Sequence, residues 1–155
     1  MIPYGRQSID PEDIRAVIEV LQSDWLTTGP KVNEFEQAFA ARVDAKEAVA
    51  VSSGTAALHA AMHALEIGPG DEVIVPAMTF AATANCVVYQ GATPVFVDVD
   101  PLSLLIDPDQ VEAKITSRTK AVTAVDYSGH PADYDTLRTI TEAHGIALLL
   151  SLIHI

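Results

Sequence analysis

Positive charge is scarce in this chain: nine Lys and Arg stand against 21 Asp and Glu, a net charge of −12. That deficit removes the basic patch through which proteins hold nucleic acid or an anionic membrane surface. Cysteine is scarcer still. Cys86 is alone, so no intrachain disulfide forms, and the chain reads as cytoplasmic. Its neighbours, Ala84-Asn85 before it and Val87-Val88 after it, point to a small buried side chain rather than a reactive thiol. No apolar run is long enough to span a bilayer, and the opening Met1-Ile2-Pro3-Tyr4 has no secretory signal character. Internal repeats and low-complexity segments are absent too. Against these absences, 49% of the 155 residues are apolar, enough for one domain with a real core.

The stretch from Ala48 to Val75 organises the reading. Ala48-Val49-Ala50-Val51 is a short apolar run closed by Ser52, Ser53 and Gly54, after which Leu58, Ala61, Met62 and Leu65 recur at i, i+3, i+4 and i+7. The period therefore switches from extended to helical across a few small residues. Ser53, Gly54 and Thr55 fall at a helix N-terminus, where unpaired N–H groups and the positive end of the macrodipole suit a phosphate. Taken alone, the same turn also reads as an ordinary Ser/Thr cap.

Asp10-Pro11 predicts a helix over residues 11 to 22, and helical spacing resumes from Lys31 to Val43 after the loop Ser23-Asp24-Trp25-Leu26-Thr27-Thr28-Gly29-Pro30. In that loop Trp25 either lines a site or anchors the loop by packing. Strands are expected at 48–51, 72–75, 94–100, 120–125 and 146–150. Helices follow from 78–85 to near Gly91, over 107–115 with an Asp107/Gln110 capping box, and from Asp133 to His144-Gly145. Strands that are continuously apolar and separated by helices predict an α/β fold, a mostly parallel sheet with helices on both faces. Ligands of such sheets bind at the carboxyl ends of the strands. That nominates Ser52 to Thr55, Pro76 to Phe80, and Asp126 to Gly129, and it raises the phosphate reading of the turn above the capping one.

Five segments together carry a resemblance. Leu26-Thr27-Thr28-Gly29-Pro30, Ser52-Ser53-Gly54-Thr55-Ala56-Ala57-Leu58, Gly70-Asp71-Glu72-Val73-Ile74-Val75-Pro76, Thr79-Phe80-Ala81-Ala82-Thr83-Ala84-Asn85 and Gly91-Ala92-Thr93-Pro94-Val95-Phe96-Val97-Asp98 resemble, in order and spacing, the DegT/DnrJ/EryC1/StrS sugar aminotransferases. The resemblance implies the aspartate-aminotransferase type I fold, of which this chain is part of the large domain. It also implies pyridoxal 5'-phosphate as cofactor and transfer of an amino group from glutamate to a keto carbon of a nucleotide-linked sugar, in a homodimer. Tyr4-Gly5-Arg6-Gln7, the Ser23–Pro30 loop and Val125-Asp126-Tyr127-Ser128-Gly129 are most similar to the branch that aminates the 4-keto carbon of a UDP-linked 6-deoxy sugar on the way to pseudaminic acid. Carried over by position, Ser53, Gly54, Thr55 and Ala56 hold the cofactor phosphate, Phe80 lies against the pyridine ring, and Asp126 sits beside the cofactor. Thr28, Gly29 and Tyr127 fall at the sugar site.

Two groups that the resemblance requires are missing. An aspartate that pairs with the pyridine nitrogen is expected after the strand at 146–150, where this chain has Ser151, and a hydroxyl brings no negative charge. The lysine that bonds the cofactor is expected roughly thirty residues later, about one more βαβ unit, so no catalytic residue is assigned. Lys31, Lys46, Lys114 and Lys120 read as solvated surface. Leu150 to Ile155 matches no family pattern and corresponds to a sequencing-adapter reading frame, so 1–149 is expected to be a fragment of an enzyme and 150–155 a non-native tail, with the fragment inactive. A dehydratase of the same family and a phosphate-binding α/β module remain alternatives. No metal is expected, since His59 and His63, an i, i+4 pair, have no third ligand in view.

Overall fold

A computed structural model describes residues 7–151; Tyr4 to Arg6 and the tail from Leu152, with His154, lie outside the described residues. The chain forms two compact units, Met1–Ala50 and Val51–Ile155.

In the first unit, helix α1 (Pro11–Leu21) begins with a reciprocal capping box: Asp10 accepts the N–H groups of Glu12 and Asp13, and Asp13 accepts that of Asp10. Pro11 at the first helical position gives up an N–H that had no partner anyway. Helix α2 spans Pro30–Arg42. The apolar positions of both helices keep the expected spacing, yet Ala40 is their only buried residue. The residues Ala48 to Val51 are a correction to the sequence reading, because they form no strand. An extended segment becomes a strand only when a neighbour takes its N–H and C=O groups. Here the Ala50 N–H goes to the Glu36 carboxylate at 2.8 Å, and Val49 is 78% exposed.

The second unit is a four-stranded parallel sheet, β1 (Glu72–Pro76), β2 (Thr93–Val97), β3 (Thr119–Val125) and β4 (Ala147–Ser151), in the order β2-β1-β3-β4. The helices are α3 (Gly54–Ala64), α4 (Ala81–Tyr89), α5 (Pro108–Lys114) and α6 (Tyr134–His144). The α/β architecture is the expected one with four strands in place of five, and β4 carries its pairing through Ser151, opposite Val125. Side chains alternate between two cores. Val73, Val75 and Ala121 pack with Leu58 and Met62 of α3 and Ala82, Cys86 and Val87 of α4. Ile74, Val122 and Ala124 pack with Val111 of α5 and Leu137 and Ile140 of α6. Each fully buried Val, Leu, Ile or Met side chain among them contributes about 1.5–3 kcal/mol. Cys86 is buried as expected, and burial pushes its thiol above the ordinary range.

The predicted capping box at α5 is not made. Asp107 caps the Asp109 N–H at 3.0 Å, but its own N–H is already given to the Asp98 carbonyl, leaving Gln110 nothing to receive. Helix α6 ends as its sequence predicts, with Gly145 in the left-handed region at φ 64°. The amino end of the sheet is closed by a clamp. Glu72, buried at the start of β1, accepts from Thr116 Oγ1 at 2.5 Å and from Nε and Nη2 of Arg118. The Thr116 hydroxyl, then Arg118, holds the Glu72 carboxyl below its usual range.

Candidate functional site

From β1 the chain passes through α4 to β2 on one side, and then crosses back through α5 to β3 on the other. The direction reverses between β1 and β3, and an open α/β sheet binds its ligands outside the strand ends at such a reversal. Helix α3 packs on the sheet and leads through a short turn into the amino end of β1, so its own N-terminus lies at the carboxyl end of the strands. Three sequence-nominated segments therefore share that end of the second unit: the start of α3, the Ala77–Phe80 loop after β1, and the Asp126–Gly129 turn after β3.

Ser53, the N-cap of α3, accepts the Ala56 N–H on its hydroxyl at 3.1 Å. The Ala57 N–H is taken by the Ser53 carbonyl. Capping thus uses Ala56, while the Gly54 and Thr55 amides at the first two helical positions have no partner among the described residues. Gly54 is exposed and Thr55 half-buried. The turn is a capped helix start and still offers two free donors.

Phe80 is the N-cap of α4 and 53% exposed. Its loop is fixed from below by Thr79 Oγ1 on Thr83 Oγ1 at 2.7 Å and by the Ala77 N–H on the Val97 carbonyl at 2.8 Å. Asp126 is held on one carboxylate oxygen by the Ala132 N–H at 3.0 Å and the Tyr134 hydroxyl, and its N–H reaches the Ser151 carbonyl. Burial, and next the bond to Asp126, pushes the Tyr134 hydroxyl well above its ordinary range, so it remains a donor at neutral pH. Tyr127 opens a single turn of 3-10 helix in which Ser128 has φ 54°.

Thr28 and Gly29 belong to the first unit. Thr28 has φ 49°, a costly conformation for a β-branched residue. Gly29 is required by space, because a Cβ there would lie 2.8 Å from Trp25 Cβ. Trp25 itself is 61% exposed. His59 meets the Tyr89 ring edge-on at 5.4 Å, and no group of three His, Cys, Asp or Glu suited to a metal occurs among the described residues.

Sequence reasoning missed the Thr123 hydroxyl and singled out Ser151 only as standing where an aspartate was expected. Thr123 Oγ1 and Ser151 Oγ are buried with no hydrogen-bond partner among the described residues. Both lie on the α3/α4 face, two residues along from Ala121 and Leu149 respectively, which pack in that core. A polar residue inside the apolar run Ala121-Val122-Thr123-Ala124-Val125 was the available signal. The Tyr134 bond to Asp126 had none, because it spans a loop that periodicity does not describe.

The model of the DegT/DnrJ/EryC1/StrS aminotransferase family matches residues 7–151. Among solved structures, DesV of S. venezuelae in complex with a ketimine intermediate is 43% identical, with TM-score 0.88 over 90% of this chain and 38% of that one. The sugar aminotransferase assigned as Spr1654 of Streptococcus pneumoniae, in its PLP form, is 38% identical, with TM-score 0.88 over 94% and 38%. A 3-amino-5-hydroxybenzoic acid synthase is 39% identical, with TM-score 0.89 over 92% and 38%. The chain therefore spans less than half the length of these relatives, and its parallel α/β sheet is theirs. It belongs to the DegT/DnrJ/EryC1/StrS aminotransferase family.

Proposed function

We propose that the second unit is the phosphate- and ring-binding part of a pyridoxal 5'-phosphate enzyme that aminates a sugar. The observation that carries this reading is the pair of free amides of Gly54 and Thr55 at the strand-order reversal, in a chain of an aminotransferase family. The phosphate end fits: two amides at the positive end of a helix of 11 residues, with Ser53 holding the turn and Ala56 close by. Phe80, exposed at the start of α4, would stack on the ring, and Asp126, pinned by Tyr134 and Ala132, would border it. Bound there, the cofactor supplies an electron sink for moving a proton and an amino group.

The amine end does not fit. The two lysines of the second unit are Lys114, in the last turn of α5, and Lys120, second in β3, and both stand toward the amino end of the sheet. This chain by itself therefore holds the cofactor without bonding it. Within the whole enzyme the amino donor is glutamate and the acceptor a UDP-linked 4-keto-6-deoxy sugar, with Tyr127 a sugar-site residue of the second unit, in a cytoplasmic homodimer. The strained Thr28 and the space-restricted Gly29 support a loop shaped for a ligand.

Titration with pyridoxal 5'-phosphate tests the reading. Saturable binding that inorganic phosphate competes away is expected, and borohydride followed by intact-mass measurement is expected to leave the protein unlabelled. Absence of saturable binding overturns the site, and a borohydride-fixed adduct on Lys114 or Lys120 overturns the statement about the amine.

A further inference from the structure

The sheet of the second unit has two open edges, and they differ. On β2, Thr93 donates its N–H to the Asp71 carbonyl and the Val97 carbonyl accepts from Ala77. Residues 93, 95 and 97 therefore turn their backbone groups toward β1, and Pro94 and Phe96 face outward. Pro94 has no N–H, so this edge lacks a donor where a further strand would need one. On β4, the Ser151 carbonyl accepts the N–H of Asp126 at the end of β3. By the same alternation, Leu148 and Leu150 turn their N–H and C=O groups away from β3, toward a side on which no strand pairs among the described residues. From Gly145 to Ser151 the chain carries no charge and no proline, and Leu150 is 43% exposed. A row of unpaired donors and acceptors on an uncharged apolar strand is a template for another strand.

We propose that the outer edge of β4 is a self-association surface, and that its occupant is the β4 of a second copy of this chain, running antiparallel. The backbone selects that occupant. With Leu149 on the two-fold axis, Leu148 of each copy stands opposite Leu150 of the other, and each such pair exchanges both N–H···O bonds, which uses every outward group of Leu148 and Leu150. The charges agree with the direction. The amino end of the sheet carries Lys120, second in β3, and His144, in the last turn of α6, while the carboxyl end carries Asp126 and Asp135, in the first turn of α6. Antiparallel pairing sets each amino end beside the other copy's carboxyl end, and it opposes the dipoles of the two α6 helices. Leu148 packs on the face that α6 covers, and Leu150, two residues on, shares that face, so pairing also covers the exposed Leu150. Pro94 keeps the edge of β2 from taking the same part, which closes the assembly at a pair instead of a growing sheet. The inference is independent of the cofactor reading, because it uses the side of β4 and not the loops at the strand ends.

Sedimentation of the full chain over a dilution series tests the proposal, together with amide hydrogen exchange. A concentration-dependent species of twice the 16.5 kDa chain mass is expected, and exchange at the Leu148 and Leu150 amides is expected to slow as it forms. Leu150→Pro copies the device of β2, removing an outward donor and no bond to β3, and Leu150→Lys sets a cation opposite Leu148. Each is expected to weaken the dimer about tenfold, the worth of the bond lost from each copy, with the far-UV circular dichroism of the parent. Phe96→Lys, on the outward side of β2, is expected to leave the dimer unchanged. A parent chain that stays monomeric up to its solubility limit overturns the proposal, whatever then covers the edge. A dimer whose Leu148 and Leu150 amides exchange as fast as in the monomer also overturns it, and this readout decides even where a substitution unfolds the chain. Equal weakening by Phe96→Lys, or open-ended growth in place of a pair, overturns it too. Pyridoxal 5'-phosphate binds monomer and dimer alike, so failure of either reading leaves the other standing.

Discussion

The two ends of the sheet in the second unit have opposite character. At the amino end, Glu72 is buried and fully engaged by Thr116 and Arg118, and the Glu72 N–H is taken by the Arg118 carbonyl. At the carboxyl end, two helix amides are free, the Ser151 hydroxyl is orphaned, and Ser128 sits in the left-handed region. The Glu72 carboxylate is matched by protein groups at the closed end, whereas the open end keeps polar groups that the protein does not match. Asp126 is the intermediate case, satisfied on one oxygen by Tyr134 and Ala132 and so held in place at the open end.

The comparison breaks most completely if the shared core fails. Ile74, in the central strand and fully buried, supports both ends, and Ile74→Ala is expected to cost about 2–5 kcal/mol in urea unfolding and to abolish phosphate binding with it. A smaller and more selective effect is expected at the closed end. Glu72→Gln destabilises at neutral pH and leaves phosphate affinity unchanged. Its sign with pH follows from the lowered carboxyl: the clamp's contribution is complete above the ordinary carboxylate range and is lost as pH falls through the lower folded-state value. Parent and variant should therefore converge in acid, and a constant gap across pH would show that charge is not what the clamp uses. The smallest effect is expected at the open end. Ser53→Ala costs about 1 kcal/mol through the lost cap and leaves phosphate affinity intact, because Gly54 and Thr55 are the free donors. A marked loss of phosphate binding would place the Ser53 hydroxyl on the anion.

Much of this was legible in the chain. Leu58 and Met62 at i, i+4 predicted the buried face of α3, the apolar runs predicted a parallel sheet, and Ser53-Gly54-Thr55 predicted a helix start. The failures share a cause. Ala48 to Val51 has the composition of a strand but no ladder beside it, and Asp107 with Gln110 has the spacing of a capping box whose donor was already committed to Asp98. Local pattern reports what a segment is able to do, while the partner that decides the outcome is chosen elsewhere in the fold.

The sequence by itself determined the class of fold, the helix starts and stops, and the family, because periodicity, capping residues and ordered motifs are written along the chain. Only the tertiary structure decided which strands pair, that Glu72 meets Arg118 across 46 residues, that Tyr134 pins Asp126, and that Thr123 and Ser151 face the same core unpaired. Those outcomes depend on which groups three-dimensional packing brings within hydrogen-bond distance, and no local spacing encodes it.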